Sequence, residues 1–471
     1  MSQVSLTIAP PQAAGNNPAL VPSSRAADGI NPKVLWTVGT FGISVVIKLA
    51  SNVVLTRLLS PAVFGVMVVV TSIRIGAELL TDVGIEQNIV KSPHGLGDAF
   101  FNTAWTMQIL RGALLTTLFL AVSPALSNWY NFDRSVFFTI SFAPFLNSLH
   151  STSIFAASKG LNVKRRVLFE ATCELITLVL CVGFALVTPT VWALLFGTLL
   201  SIAARSALSY LLPHPDHRFF IDKAKALEIF NFGKWIALAS LVVYGSTNLD
   251  RVYLGRHLPL AMLGIYGLAR TIADLPPLLA SRISYHVLFP LVSANAGNID
   301  ASFFDSMRSV RRRLVLIGAI GISISIASAD IAVRIVYDVR YADAGWMLSL
   351  LLVGAWWSMM ASLNEAVLLG TDRATSFSLA NVARFVTLAI GLPLLWLAFG
   401  MPGAILGLVT SEFARYVTVT FGLRAMRSRL LYQDVAATVV MFALLAAWIA
   451  LRLSLSLGTP WGRLFVDRLH G

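Results

Sequence analysis

Four ionisable residues lie near the middle of long apolar stretches, namely Lys48, Arg111, Glu174 and Arg384. A charged side chain at the centre of a bilayer is unfavourable by about 2.5–3.5 kcal/mol on insertion scales, so such residues normally face a helix-bundle interior or a water-filled cavity. Lys48, Arg111 and Arg384 have no acidic residue within four positions. The sequence therefore predicts that these three point as unpaired cations into one common cavity.

Two other stretches carry charges at a spacing of four. Arg74, Glu78 and Asp82 share one helix face, and Arg270 and Asp274 repeat the spacing in a later stretch. Two interpretations stay open. The arginines could line a cavity for a diphosphate or an acidic sugar while the carboxylates accept ions, or each pair could only staple its own helix.

These residues form two predicted sets. The predicted substrate-binding cations are Lys48, Arg74, Arg111, Arg270 and Arg384. The predicted ion-coupling carboxylates are Glu78, Glu174 and Asp274. Pro276 and Pro277 follow the last carboxylate, and because proline removes a helical hydrogen bond we expect a kink or break there.

The composition explains why these charges are conspicuous. Of 471 residues, 56% are hydrophobic and 13% are charged, against about 25% charged in soluble domains. A soluble globular protein is therefore excluded. Apolar stretches long enough for membrane helices recur thirteen times, near 34–57, 62–83, 100–122, 135–158, 168–188, 190–212, 234–254, 260–282, 314–337, 345–369, 377–399, 402–423 and 435–457.

Charge predicts the orientation. The net charge is +13, and alternate connections through the twelfth stretch carry nineteen basic residues on one side and five on the other. Because basic loops stay in the cytoplasm, this bias predicts a cytoplasmic amino terminus. Residues 1–31, rich in Pro, Ala, Ser and Asn, predict a disordered cytoplasmic tail without a signal peptide.

Other chemistries find little support. The basic residues are scattered among apolar stretches, which argues against nucleic acid as a partner. Cys173 and Cys181 lie eight positions apart in one stretch, and the HPDH sequence at 214–217 has no second ligand group nearby, so we expect no metal. No phosphate-binding Gly-Lys-Ser/Thr loop is present, no cofactor is expected, and we predict a protein that is not an enzyme.

An internal repeat divides the chain. At an offset of 199 residues, VVLTRLLSPAVFG (53–65) matches VYLGRHLPLAMLG (252–264) at six of thirteen positions, and GTLLSIAAR (197–205) matches GLVTSEFAR (407–415) at an offset of 210. Repeats of this kind are typical of secondary transporters. We predict an N-lobe (32–213), a cytoplasmic inter-lobe linker (214–233), a C-lobe (234–430), and an extra transmembrane helix with a C-terminal tail (431–471).

The opening segment also resembles a known family. RLLSPAVFG (57–65) and DVGIEQ (82–87) are similar to the start of bacterial polysaccharide flippases, and 263–293 and 400–407 resemble their later signatures. The resemblance implies the Wzx-like branch of the multidrug/oligosaccharidyl-lipid/polysaccharide exporter superfamily. The expected fold is an all-α integral membrane protein with 12 to 14 transmembrane helices in two pseudo-symmetric six-helix lobes around a central cavity.

This family implies a transporter in the bacterial inner membrane. It would flip undecaprenyl-diphosphate-linked oligosaccharide by alternating access, with proton or sodium coupling, for exopolysaccharide, capsule or O-antigen synthesis. Membrane lipids, and optionally a polysaccharide polymerase with its chain-length machinery, would be its partners. The alternatives are a drug exporter or lipid II flippase of the same superfamily, or a membrane glycosyltransferase or polymerase. Short connections disfavour the enzymes because no loop is large enough for a catalytic domain.

Overall fold

The computed structural model describes residues 32–82, 84–91, 97–155, 163–212, 217–293, 301–371, 373–423 and 427–462, so the predicted tail (1–31) and residues 463–471 lie outside it. Within these ranges every long regular element is a helix. The helices are α1 (Pro32–Leu58), α2 (Pro61–Leu80), α3 (Ile85–Lys91), α4 (Asp98–Tyr130), α5 (Arg134–Ile140), α6 (Ala143–Ser148), α7 (Val163–Val187), α8 (Val191–Ser209), α9 (Lys223–His257), α10 (Leu260–Ala273), α11 (Leu275–Ile283), α12 (Phe289–Ser293), α13 (Ala301–Val336), α14 (Ala344–Gly370), α15 (Ala374–Phe399), α16 (Met401–Gly422) and α17 (Arg427–Ser454).

Nine of the described helices are long and apolar enough to cross a membrane. They correspond to α2, α4, α7, α8, α9, α13, α14, α15 and α17. The other four predicted stretches are also largely helical. Stretches 34–57 and 402–423 form α1 and α16, and stretches 135–158 and 260–282 are interrupted helices. The protein is therefore an all-helical, multi-pass membrane protein.

The first interruption falls in the predicted stretch 135–158. It forms α5 and α6 instead of one continuous helix, with Pro144 in the first turn of α6. The backbone after α6 finds side-chain donors: Gln108 donates to the carbonyls of Ser148 and His150 at 2.7 and 3.0 Å. Non-helical backbone at membrane depth requires such partners, since lipid offers none.

The second interruption falls at Asp274, as the two prolines predict. Helix α10 ends at Ala273, α11 begins at Leu275, and a π-helical turn (Ser284–Leu288) continues to α12. Pro276 and Pro277 cannot donate helical hydrogen bonds, whereas Asp274 keeps its own: its amide donates to the carbonyl of Arg270 at 3.0 Å and its carbonyl accepts from the amide of Leu278 at 3.2 Å.

The two repeats meet where their glycines align. Helix α2 packs along α10, and a Cβ on Gly65 would lie 1.9 Å from the carbonyl oxygen of Leu260. A Cβ on Gly264 would lie equally close to the carbonyl oxygen of Pro61. Because 264 − 65 equals the repeat offset of 199, equivalent glycines allow the two helices to touch backbone to backbone.

A second set of contacts joins the lobes at the same end. The Arg340 guanidinium donates to the carbonyls of Thr56 and Arg57 at 3.3 and 3.1 Å, and the Tyr341 hydroxyl donates to Leu59 at 3.2 Å. In return Arg57 donates to the carbonyl of Val336 at 3.4 Å. Each lobe thus satisfies the free carbonyls at a helix end of the other.

The predicted inter-lobe linker is shorter than expected. Helix α9 already begins at Lys223, with the Asp222 carboxylate accepting from the amides of Ala224 and Lys225. The preceding segment is extended and docks on α4. Alternate amides donate to polar side chains there: Arg218 to Asn102, Phe220 to Thr106 and Asp222 to Thr103, at 2.9–3.1 Å.

The extra helix α17 is fastened to α13 at both ends. The Arg311 guanidinium lies 2.5 Å from the Asp434 carboxylate, and that of Arg452 lies 2.6 Å from Asp330. The paired positions are 19 residues apart on α13 and 18 on α17, so the helices run parallel over about 28 Å. That length nearly matches the hydrocarbon thickness of a bilayer.

Candidate functional site

Arg74 and Glu78 form the intrahelical pair that their spacing predicts. The Arg74 Nη1 atom lies 2.8 Å from Glu78 Oε1, and both side chains are partly buried. The second carboxylate oxygen of Glu78 accepts a long hydrogen bond, 3.5 Å, from the Asn147 side chain. The pair therefore lies between α2 and the interrupted fourth stretch.

Arg111 lies against the carboxyl end of α2. Its guanidinium donates to the Thr81 hydroxyl at 3.0 Å and to the backbone carbonyl of Glu78, and lies 3.7 Å from the Asp82 carboxylate. A cation at a helix C-terminus satisfies free carbonyls and interacts favourably with the helix dipole. A cavity of about 150 Å³ adjoins this corner and is lined by Glu78, Asp82, Glu86, Arg111, Asn147 and His150, among others.

Lys48 contacts the second predicted coupling carboxylate of the N-lobe. Its ammonium lies 2.9 Å from Glu174 Oε1, which joins α1 to α7. The lysine side chain remains 67% exposed while Glu174 is mostly buried. This pair is the most open of the predicted site.

Arg270 and Asp274 belong to a larger cluster in the C-lobe. Arg270 lies 3.4 Å from Asp274 and 3.8 Å from the fully buried Asp250, which also accepts a hydrogen bond from the Tyr266 hydroxyl. Arg251 approaches Asp274 from the other side, also at 3.4 Å. Asp274 is thus held between two arginines and is 45% exposed.

Arg384 lies in a second, drier cluster of the C-lobe. Its guanidinium is 2.5 Å from Glu412, whose other oxygen lies 3.6 Å from Arg415. Arg415 in turn makes a bidentate contact with Glu365 at 2.8 Å for both hydrogen bonds. All of these side chains are nearly buried.

The prediction of three unpaired cations in one cavity is therefore wrong. Lys48, Arg111 and Arg384 each contact a carboxylate of their own lobe. The partners come from neighbouring helices, which spacing within one helix cannot reveal. Whether these residues bind a substrate stays a prediction.

Several charged residues of these clusters were missed by the sequence reasoning. They are Asp250, Arg251, Glu412, Arg415 and the pair Arg311 and Asp434. A usable signal existed for one of them: Arg415 is the repeat counterpart of Arg205, and both make bidentate contacts with a glutamate.

The chain is similar to known proteins in family, in sequence and in fold. The family described as "Polysaccharide biosynthesis protein" matches residues 54–345. The lipopolysaccharide biosynthesis protein WzxC of Escherichia coli K12 is 24% identical over 260 residues, 54% of this chain and 52% of that protein. The chain spans about half the length of the first curated relatives it matches.

Solved structures share the fold at low identity. Lipid II flippase MurJ in an inward closed conformation has a TM-score of 0.69 at 9% identity, covering 89% of this chain and 99% of that one. An inward-facing multidrug resistance MATE family transporter of the MOP superfamily has a TM-score of 0.63 at 13% identity, covering 83% and 95%. The all-helical, many-span fold is accordingly the expected one, while its division into two six-helix lobes around a central cavity stays a prediction. Because its family match covers more than half of the residues, this chain belongs to the polysaccharide biosynthesis protein family.

Proposed function

We propose that this protein moves undecaprenyl-diphosphate-linked oligosaccharide across the bacterial inner membrane for exopolysaccharide, capsule or O-antigen synthesis. Family membership and the transporter fold support a cargo of this class. The N-lobe (32–213) and C-lobe (234–430) alternate in access by separating at the joint formed by Arg57, Arg340 and Tyr341. The amino terminus lies in the cytoplasm, in keeping with the distribution of basic residues.

The observation that carries the proposal is the exposure of Asp274 and its two long contacts with arginines. Its carboxylate is 45% exposed and lies 3.4 Å from both Arg251 and Arg270. Charge-assisted hydrogen bonds normally measure about 2.7–2.9 Å, so both contacts are weak. The Arg415–Glu365 pair in the same lobe reaches 2.8 Å twice and is almost buried, so it resists exchange.

A phosphate can replace this carboxylate. It offers the same charge and acceptor geometry to two guanidinium groups, and arginine suits such recognition. The helix break at Asp274 and the two missing donors of Pro276 and Pro277 make this segment easier to bend than a continuous helix, so the side chain can withdraw as the cargo enters. A diphosphate would then bind Arg251 and Arg270 in its place.

The displaced carboxylate is the coupling group. Once Arg270 binds phosphate, Asp274 loses its cationic partners and can take a proton or a sodium ion. Glu78 and Glu174 are the corresponding coupling groups in the N-lobe, where the cargo must release them from tighter contacts with Arg74 and Lys48, at 2.8 and 2.9 Å. Arg111 and Arg384 complete the proposed cation set and must likewise leave Asp82 and Glu412. Polymerase and chain-length proteins remain candidate partners that receive the product.

The test is translocation of lipid-linked oligosaccharide in vesicles with an imposed proton or sodium gradient, normalised to inserted protein. Asp274→Asn and Glu78→Gln should lose the dependence on the gradient while the protein stays folded. Glu365→Gln serves as the matched control, because it neutralises a buried carboxylate outside the exposed pairs. It should lower the amount of protein but keep gradient dependence per molecule. Normal gradient-dependent transport by both variants would overturn the coupling role.

The alternatives are outcomes of the same assay. A lipid II flippase would move lipid II in preference to the oligosaccharide, and a drug exporter would accumulate cationic dyes. A glycosyltransferase or polymerase would form new glycosidic bonds in the vesicles. Each of these results would replace the proposed cargo without changing the fold.

A further inference from the structure

We propose a second anion site, separate from the transport cavity, in the corner formed by α13, α14 and the turn after α17. It is a pocket of about 230 Å³ lined by Asp330, Arg334, Ala342, Trp346, Thr459 and Pro460, among others. We infer that it binds one phosphate-bearing group. The inference does not depend on what the transporter carries.

The pocket walls are fixed by an ion pair. Arg452 makes two hydrogen bonds to Asp330, at 2.6 and 3.0 Å, and also donates to the carbonyls of Leu457 and Gly458. These contacts fold the turn after α17 back onto α13, with Ser456 and Gly458 at positive φ. The wall is therefore built by buried, charge-assisted contacts and not by loose packing.

Its chemistry favours an anion. The charges of Asp330 and Arg452 cancel, whereas Arg334 is exposed and contacts no carboxylate among the residues that the structure describes. The Trp346 indole belongs to a side chain that is 94% buried, and its N–H has no acceptor within the described part of the chain. A buried donor without an acceptor is unfavourable by about 1–3 kcal/mol, so an acceptor-rich group would satisfy it.

The position suggests the depth of the ligand. Ala342 lines the pocket, and its neighbour Tyr341 contacts the end of α1. The pocket therefore lies at the level where the helices end, which is the depth of lipid headgroups. A headgroup phosphodiester and a free phosphate share this chemistry, and the experiment separates them.

The test uses the full-length protein purified in mild detergent. Retained phosphatidylglycerol is measured by native mass spectrometry after exchange with vesicles that contain it, with and without excess inorganic phosphate. Arg334→Gln and Trp346→Phe should each weaken retention about tenfold. Arg334→Lys keeps the charge and should restore most of it. Arg312→Gln, an exposed arginine at the other end of α13, should have no effect.

The outcomes are distinct. If inorganic phosphate displaces the lipid, the site accepts free phosphate; if it does not, the site selects the headgroup. Unchanged retention in both Arg334→Gln and Trp346→Phe would overturn the proposal. A loss of lipid retention in Arg334→Gln but not in Trp346→Phe would also overturn it, because the lipid would then bind a surface charge and not the pocket. Melting curves of each variant distinguish lost binding from lost folding.

Discussion

The charge pairs of the two lobes differ in how much of their surface the rest of the protein covers. In the N-lobe, Arg205 and Glu170 are about one-third exposed, and Lys48 is 67% exposed. In the C-lobe, Arg415 and Glu365 are only 12% and 10% exposed. The C-lobe pairs also join into clusters, whereas most N-lobe pairs stand alone.

The difference shows that charged residues within apolar stretches form pairs of two kinds, exposed pairs and buried pairs. An exposed pair that water reaches gains little from its charges because water screens them, so its partners can exchange at low cost in stability. A buried pair holds its partners, since removing one leaves an unsolvated charge. Among the C-lobe acids whose side chains the structure describes, Asp274 alone combines membership of a cluster with large exposure, which makes it the point where the buried network reaches the surface of the protein.

The largest effect should come from Arg311→Leu. Arg311 is fully buried and contacts Asp434, Gln433 and Asn364, so the change leaves the Asp434 charge buried and unpaired. We expect a loss of about 3–5 kcal/mol and a sharp fall in inserted protein. Thermal unfolding in detergent measures the effect. Arg312→Leu, at the exposed neighbouring position, should change little, and Arg311→Leu combined with Asp434→Leu should recover part of the loss.

A direct comparison of the lobes uses repeat-equivalent arginines. Arg205 and Arg415 both make bidentate contacts at 2.8 Å, with Glu170 and Glu365 respectively. Glu365→Gln should destabilise the protein by about 3 kcal/mol, and Glu170→Gln by about 1 kcal/mol or less. Equal melting shifts for the two variants would show that burial does not separate the lobes.

A smaller stability effect is expected at the N-lobe pair on α2. Arg74→Gln should lower stability by roughly 0.5–1 kcal/mol, because the pair is partly solvated and intrahelical. Its effect on transport should exceed its effect on melting. A melting shift as large as that of Arg311→Leu would place this pair with the buried clusters instead.

The smallest effect should come from Lys48→Met. The lysine side chain is 67% exposed, and where this face opens on an aqueous cavity its contact with Glu174 contributes at most a few tenths of a kcal/mol. Melting should be unchanged within error, and raised salt should leave the wild type equally stable. A salt-dependent melting shift that Lys48→Met abolishes would mean that the pair is stronger than its exposure implies.

Much of the architecture follows from the sequence. Apolar length predicts the helices, the prolines after Asp274 predict the break, and the spacing of Arg74 and Glu78 predicts their contact. Resemblance of the opening motif predicts the family. Each of these signals is local in the chain, so no tertiary information is needed to read it.

The remainder depends on which helices become neighbours. Arg111 has no acid within four positions on its own helix, yet the end of α2 presents a free carbonyl to it and the turn that follows presents Asp82. The split of stretch 135–158 depends on donors such as Gln108, far along the chain. Only packing reveals these partners, which is why the unpaired cations were predicted wrongly.

The fastening of α17 to α13 has a consequence for biosynthesis. Arg311 must wait for Asp434, 123 residues later, and Asp330 for Arg452, 122 residues later. At translation rates of roughly 5–20 residues per second, the delay is about 6–25 s. During that interval the nascent helix α13 carries two opposite charges, Arg311 and Asp330, without their final partners. The later emergence of α17 therefore determines when α13 can leave the protection of the insertion machinery.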